Sequence, residues 1–228
     1  MATANQLPDV SQIGFAFPEP LTDKYCPHTF SDFIGLEKPK KIMAGLAANP
    51  FPSNWYFKGP SGTGKTRLAL TLAATMPAEL HHIASKECSL QTVQDIVRTC
   101  HWCPRMFSDW QPCKMHVILV DEADQMSYAA QLAFLSILDG TARPPNTIIV
   151  FTGNAIVTSE DNRFMSRCTV LEFSSYGIAK DAADLLSRVW DAETTNPATK
   201  PNFQRIVKDA NNNVREALNQ LQVEILMA

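Results

Sequence analysis

One stretch of eight residues decides the fold of this chain: Gly59-Pro60-Ser61-Gly62-Thr63-Gly64-Lys65-Thr66 (GPSGTGKT). It matches the pattern G-x-x-x-x-G-K-[ST], in which glycines let the backbone wrap closely around phosphate groups. A short apolar run, Trp55-Tyr56-Phe57, precedes it, and a helical pattern over residues 65–76 follows. The order of strand, glycine-rich loop and helix predicts a phosphate-binding loop, and therefore a nucleoside triphosphate as ligand.

The chemistry expected of this loop comes from its backbone and its last two residues. The backbone N–H groups of the loop and the N-terminus of the helix supply partial positive charge for the phosphates. We expect Lys65 to reach the β- and γ-phosphates of ATP and Thr66 to offer its hydroxyl to Mg²⁺. The alternative, a glycine-rich turn with no ligand, is disfavoured by the position of the loop between a strand and a helix.

The rest of the chain predicts an α/β fold built on a five-stranded parallel sheet. Four further apolar runs are typical of buried strands: residues 80–83, 116–120, 147–151 and 169–173. Helical patterns separate them up to about residue 175, which favours parallel strands joined by helical crossovers. Beyond that point three helical segments follow one another without a strand: residues 178–189, 203–210 and 214–226. We therefore expect an extended leader (residues 1–30), a nucleotide-binding core (31–175) and a small three-helix lid domain (176–228).

Two carboxylates, Asp121 and Glu122, directly follow the apolar run HVILV. At the carboxyl end of a buried strand beside a phosphate-binding loop, Asp121 is expected to hold Mg²⁺ through water. Glu122 is expected to orient and deprotonate the attacking water. A solvated acidic turn is the alternative.

Two more polar residues are candidates for contact with the γ-phosphate. Asn154 follows the predicted strand at residues 147–151 and is positioned to orient the water and sense the phosphate; a simple turn asparagine is the alternative. Asn213 and Glu216 form a capping-box pattern at the start of a helix. Arg215 falls in the first turn of that helix, where a cation is mildly disfavoured, so a phosphate partner would explain it better than solvent.

The amino-acid composition narrows the kinds of partner and the cellular compartment that the chain can have. The 228 residues are 45% hydrophobic and 19% charged, with a net charge of −3, so no overall positive field attracts nucleic acid or an acidic membrane. We find no signal peptide and no apolar run of transmembrane length, which favours an intracellular compartment and no membrane. The six cysteines are then expected to be free thiols or metal ligands.

With these motifs in order, the chain resembles the AAA+ ATPases, and among them the clamp-loader subunits: replication factor C small subunits and their bacterial counterparts. Residues 21–35 are similar to the leader of that family, which packs on adenine, so the resemblance adds Phe33 and Ile34 to the nucleotide site. Residues 213–219 resemble its sensor-2 helix. Ser166-Arg167-Cys168 matches the clamp-loader signature whose arginine reaches the ATP of a neighbouring subunit.

The resemblance implies an ATP hydrolase that works in an oligomer. Its implied partners are other clamp-loader subunits in a ring, a sliding clamp and primer–template DNA, with ATP and Mg²⁺ bound at subunit interfaces. Because the chain has its own Lys65, acid pair, Asn154 and Arg215, we expect Arg167 to act in trans, as an arginine finger. Two other functions stay open: a nucleotide-gated scaffold with little turnover, and another AAA+ role such as helicase loading or remodelling.

Several positions depart from the clamp-loader pattern. The sequence stops just after the sensor-2 helix, whereas clamp-loader subunits usually continue into a helical collar that holds a pentamer together, so we expect a clamp-loader-type subunit that lacks this collar and whose mode of assembly stays open. Gln131 stands at the position of a coupling glutamine of the family. Leu135 and Ser136, however, occupy positions that often carry DNA-facing cations in the family, so contact between this helix and DNA phosphates is less well supported. Cys26 replaces an arginine of the leader. Four cysteines between the two ATPase motifs are either free thiols or a loosely spaced zinc site: Cys88, Cys100, Cys103 and Cys113.

Overall fold

The computed structural model describes residues 19–101, 115–139, 143–156, 163–194 and 200–227. In this part of the chain there are five strands: β1 (Ser53–Lys58), β2 (Ala78–Ala84), β3 (Met115–Asp121), β4 (Thr147–Gly153) and β5 (Thr169–Glu172). The α-helices are α1 (Leu21–Lys24), α2 (Glu37–Ala48), α3 (Lys65–Thr75), α4 (Leu90–His101), α5 (Tyr128–Leu138), α6 (Ala179–Glu193), α7 (Phe203–Asp209) and α8 (Val214–Met227).

All five strands form one parallel sheet in the order β2-β3-β4-β1-β5. The predicted α/β fold with a five-stranded parallel sheet is confirmed. Because β3 and β4 are nearly unbroken apolar runs, they can be covered on both faces, and they occupy interior positions. The carboxyl ends of β1, β3 and β4 therefore meet at one edge of the sheet.

Two hydrophobic clusters cover the two faces of this sheet. On one face, α2 and α3 pack Met43 and Leu68 against Phe57 and Val150. On the other face, α4 and α5 contribute Val93 and Phe134, which pack against alternating residues of β3 and β4. Alternate side chains of a strand point to opposite faces, so the apolar runs supply both clusters at once.

A third hydrophobic cluster joins the three helices α6, α7 and α8, with Trp190 and Leu221 fully buried at its centre. Leu21 of α1 belongs to the same cluster, and Tyr25 donates to Glu193 at 2.5 Å from hydroxyl to carboxylate. The expectation of a purely extended leader is therefore wrong for the described residues, because Leu21–Lys24 is helical and packs on these helices. The division into leader, core and lid stays a prediction.

None of the described helices is long and apolar enough to cross a membrane.

Candidate nucleotide-binding and hydrolysis site

The glycine-rich loop leaves β1 at the edge where three strands end. Lys58, the last residue of β1, pairs with Gly153 of β4 and with Glu172 of β5. A side chain on Gly59 would collide with the backbone just after β5, since its Cβ would lie 2.3 Å from the carbonyl oxygen of Phe173. The glycine is thus required for the loop to pass between strands and reach the start of α3.

Lys65 is held between the loop and β4. Its ammonium donates to the carbonyl oxygens of Gly59 and Pro60 at 2.7 and 2.8 Å, and to Asn154 Oδ1 at 3.0 Å. Burial lowers the pKa of Lys65 below its usual range, with only 8% of the residue exposed. An anion brought against this ammonium would favour its charged form, which is the response a phosphate-binding lysine needs.

A hydroxyl and a carboxylate stand side by side at the start of α3 and the end of β3. Thr66 Oγ1 donates to Asp121 Oδ1 at 2.7 Å, and the hydroxyl of Thr152 donates to the same carboxylate oxygen. Hydroxyl, carboxylate and water oxygens are the ligands that Mg²⁺ prefers, so Thr66 and Asp121 fit that ion. Sequence reasoning missed Thr152, whose only signal was a polar side chain near the carboxyl end of an apolar strand.

Glu122 adopts a backbone conformation that is uncommon for its residue type. Its φ is 54°, in the left-handed region, and its N–H donates to Thr152 Oγ1 at 3.2 Å. The side chain is exposed and lines the same cleft as Asp121. Backbone strain of this kind concentrates at functional sites, where the surrounding contacts hold a side chain in place.

These side chains share one cavity of about 170 Å³. Its lining includes six residues that the sequence singled out: Lys65, Thr66, Asp121, Glu122, Asn154 and Arg215. They come from the glycine-rich loop with α3, the ends of β3 and β4, and the first turn of α8. The cavity therefore combines a buried cation, an acid pair and two further polar groups at the carboxyl edge of the sheet, where ligands bind in open α/β sheets.

A second cavity of about 460 Å³ adjoins the first and shares Gly62, Gly64, Arg67 and Arg215 with it. Phe33, Ile34 and Cys26 line it, together with Val214 and Leu218 of α8. Phe33 is 5% exposed and lies so near the loop that a Cβ on Gly64 would be 3.3 Å from its ring. This mostly apolar cavity beside the loop has the size and character of a site for a nucleoside.

The start of α8 closes over the loop. Asn213 Oδ1 accepts from the N–H of Glu216 at 3.3 Å, so the predicted N-cap is confirmed. The Asn213 side chain lies over Gly62, where an added Cβ would be 2.0 Å from Asn213 Oδ1. Helix α8 and the loop are thus in direct contact, and Arg215, two positions after Asn213, lines both cavities.

Arg167 lines neither cavity of its own chain. It ends a short turn before β5, and its guanidinium binds the carboxylate of Asp139, at 2.6 Å from Nε to Oδ1. The hydrogen bond from Arg167 holds the pKa of Asp139 below its usual range. Asp139, just past α5, is a partner that the sequence did not reveal.

Two of the four cysteines between the ATPase motifs lie in the described part of the chain. Cys88 and Cys100 are free and buried, and burial raises the pKa of the Cys88 thiol to about 11. Cys103 and Cys113 lie outside the described residues. The four-cysteine zinc site stays a prediction.

One known protein family matches the part of the sequence that carries this site. The family model described as "ATPase family associated with various cellular activities (AAA)" matches residues 55–176, more than half of the chain. That range holds most of β1, all of β2 to β5, the glycine-rich loop and the acid pair.

Several replication factor C subunits are similar in sequence. Replication factor C subunit 2 of Arabidopsis thaliana is 26% identical over 219 residues, which cover 92% of this chain and 62% of that protein. Subunit 4 of Oryza sativa subsp. japonica is 26% identical, over 98% of this chain and 65% of that protein. Small subunit 1 of Pyrobaculum islandicum is 29% identical, over 67% and 46%. The chain thus spans about half to two thirds of the length of these relatives.

Among solved structures, the RuvB Holliday junction branch migration motor of Thermotoga maritima has a TM-score of 0.65 and 19% identity, over 87% of this chain and 64% of that one. At this identity the likeness concerns the fold alone.

Proposed function

Because the chain belongs to the AAA family of ATPases, we propose that it binds and hydrolyses ATP as a subunit of a clamp-loader-type assembly. The observation that carries the proposal is the single cavity that gathers Lys65, Thr66, Asp121, Glu122 and Asn154. The adjoining apolar cavity with Phe33 and Ile34 is the proposed site of the adenine base.

Each side chain has a role that follows from its position. Lys65 neutralises the β- and γ-phosphates, and the backbone N–H groups of residues 59–66 hold the phosphate oxygens. Glu122, exposed in the cleft, accepts a proton from water, while Asn154 positions that water and is already fixed by its contact with Lys65. Arg215 approaches the phosphates from the lid.

Mg²⁺ would be held by Thr66 directly and by Asp121 through water; when bound, it neutralises charge on the phosphate oxygens. The hydroxyl of Thr152 fixes the orientation of the Asp121 carboxylate through its hydrogen bond. Hydrogen bonds to a ligating carboxylate tune its affinity and geometry.

Arg167 is proposed to complete the site of a neighbouring subunit. It lines neither cavity of its own chain, and its side chain is 30% exposed on the surface. An arginine donated in trans stabilises the charge of the transferring phosphoryl group. Hydrolysis would then require an oligomer, made of copies of this chain or of related subunits.

The proposed task is loading a sliding clamp on primer–template DNA during replication. Support comes from the replication factor C relatives and from the Ser166-Arg167-Cys168 signature. ATP binding between subunits would close the assembly on clamp and DNA, and hydrolysis would release them. We extend the proposal to the division into leader (residues 1–30), core (31–175) and lid (176–228).

One observation favours a second function, a nucleotide-gated scaffold or remodelling subunit. The exposed part of α5 presents Tyr128 and Leu132, which are 60% and 42% exposed, and carries no cation. A helix that tracks DNA phosphates would need Lys or Arg there.

The two functions differ in how nucleotide turnover responds to partners. ATP hydrolysis by the purified protein and its partner subunits is measured with and without primed DNA and a sliding clamp, with Lys65→Ala as the inactive control. Stimulation by the two together supports clamp loading. A low rate that neither partner changes supports the scaffold.

A further inference from the structure

Three metal-ligating side chains meet at the end of the sheet opposite the nucleotide cavity. His81 of β2, Cys100 of α4 and His116 of β3 each offer one ligand atom, and these atoms lie within 4.8 Å of one another. His116 precedes Asp121 by five residues on the same strand, which places the cluster roughly 16 Å away at about 3.3 Å per residue. The cluster is therefore separate from the ATP site.

Strand register brings the two histidines together. Glu79 of β2 pairs with His116 of β3, and His81, two residues further along β2, points to the same face of the sheet. On that face α4 packs, and its buried Cys100 reaches the cluster from above the sheet. The three side chains thus come from three different elements, so a bound ion would join all of them.

The spacing of the histidine nitrogens suits two ligands of one ion. His81 Nε2 and His116 Nδ1 are 3.1 Å apart. Two nitrogen ligands of a tetrahedral zinc ion, each about 2.0–2.1 Å from the metal, are separated by about 3.3 Å. Coordination would require the two rings to separate slightly and the Cys100 sulfur, which lies within 4.8 Å of both nitrogens, to move toward them.

One ring nitrogen of His116 is unpartnered among the described residues. His116 is 1% exposed, and its Nε2 has no hydrogen-bond partner in the described part of the chain. The contact with His81 uses Nδ1, so neither tautomer of His116 satisfies both ring nitrogens. An ion bound at Nδ1 would take the place of the contact with His81 and fix the ring proton on Nε2.

Cys100 is 1% exposed, and its sulfur lies within 4.8 Å of the ligand nitrogens of both histidines. Burial, with a smaller contribution from the Glu79 carboxylate, raises the pKa of this thiol to about 12. A metal ion would bind the thiolate and release the proton, as expected at zinc sites.

We propose that His81, Cys100 and His116 bind one Zn²⁺ ion, with the carboxylate of Glu79 as the fourth ligand. Glu79 Oε2 lies 3.8 Å from His116 Nδ1, on the strand that also carries His81. Two imidazoles, a thiolate and a carboxylate form a mixed donor set that suits zinc better than the hard cations Mg²⁺ and Ca²⁺. The ion fixes the edge strand β2 and the end of α4 to the centre of the sheet.

Zinc content of the purified chain tests the proposal. The full chain is prepared without chelators, supplied with Zn²⁺, desalted and analysed for metal; about one zinc ion per chain is expected. His81→Ala and Cys100→Ser should lose it. Matched controls should keep it: His82→Ala, whose side chain is on the opposite face of β2, Cys88→Ser, and the double variant Cys103→Ser/Cys113→Ser.

Cobalt gives a readout on the unaltered protein, which does not depend on the variants folding. Co²⁺ at the proposed site should show the visible bands of tetrahedral coordination and a thiolate-to-metal charge-transfer band. The proposal is overturned if the chain binds no zinc, if His81→Ala and Cys100→Ser both keep it, or if only Cys103→Ser/Cys113→Ser loses it. A cobalt spectrum without thiolate charge transfer also contradicts it.

Discussion

The guanidinium of Arg167 is bound by the carboxylate of Asp139 through two hydrogen bonds, Nε to Oδ1 at 2.6 Å and Nη2 to Oδ2 at 3.3 Å. A third donor, Nη1, binds the carbonyl oxygen of Arg163 at 2.9 Å. In the single chain, the guanidinium of Arg167 is therefore already bound by groups of the same chain. Docking of a neighbour with bound ATP would have to exchange Asp139 for phosphate oxygens.

Asp139→Asn should release the finger without harming the fold. The pair lies at the surface, where ion pairs contribute little to stability. We expect an unchanged melting temperature and, in the oligomer, ATP hydrolysis at least as fast as in the unaltered protein. Asp191→Asn, which breaks the exposed pair with Lys200, is the control. Hydrolysis lost in Asp139→Asn alone would show that Asp139 takes part in catalysis.

Thr152→Val should lower ATP hydrolysis about 10–100-fold, because the Asp121 carboxylate loses a hydrogen bond that orients it toward Mg²⁺. Part of the loss should be recovered at high Mg²⁺ concentration. Thr71→Val is a matched control, since the buried Thr71 hydroxyl has no partner in the described residues. Equal hydrolysis rates for the two variants would show that the Thr152 hydroxyl does not orient Asp121 for Mg²⁺.

Gly62→Ala should weaken nucleotide binding about tenfold or more. The position has a φ of 75°, and the new Cβ would displace Asn213, which caps α8. Gly45→Ala in α2 is the contrasting substitution, because nothing lies within 4 Å of its added Cβ. It should stabilise the fold by about 0.5–1 kcal/mol and leave nucleotide affinity unchanged. Calorimetric titration with a non-hydrolysable ATP analogue measures both affinities.

Glu122→Gln should bind ATP normally and hydrolyse it about 10²–10⁴-fold more slowly, because the amide cannot accept the proton of the attacking water. Single-turnover hydrolysis with radiolabelled ATP separates binding from chemistry. The exposed Glu224→Gln on α8 serves as the control. A normal turnover rate in Glu122→Gln would move the general base elsewhere.

The elements were predictable where a local pattern determines them. The apolar run at β3 and the helical pattern at α5 gave their positions to within a residue or two, since burial on both faces and helical periodicity are written in neighbouring residues. Lys65 and Asp121 were found through motifs for the same reason. The helix at Leu21–Lys24 was not, because its stability comes from packing on α8, far along the chain.

Contacts between side chains from distant segments could not be predicted from the sequence. His81 and His116 are 35 positions apart, and only strand register brings them into contact. The zinc hypothesis from sequence therefore counted cysteines alone and overlooked both histidines. Asp139 was missed in the same way, since nothing in its local sequence connects it with Arg167.

The central claim is that each ATP site is completed by Arg167 of a neighbour, and Arg167→Ala tests it most directly. ATP hydrolysis is measured in the assembled oligomer, and ATP affinity is measured in the isolated chain. We predict that hydrolysis falls by at least about 1000-fold while the affinity of the isolated chain is unchanged. Hydrolysis at the full rate by the Arg167→Ala assembly, or by the isolated unaltered chain, would contradict the claim.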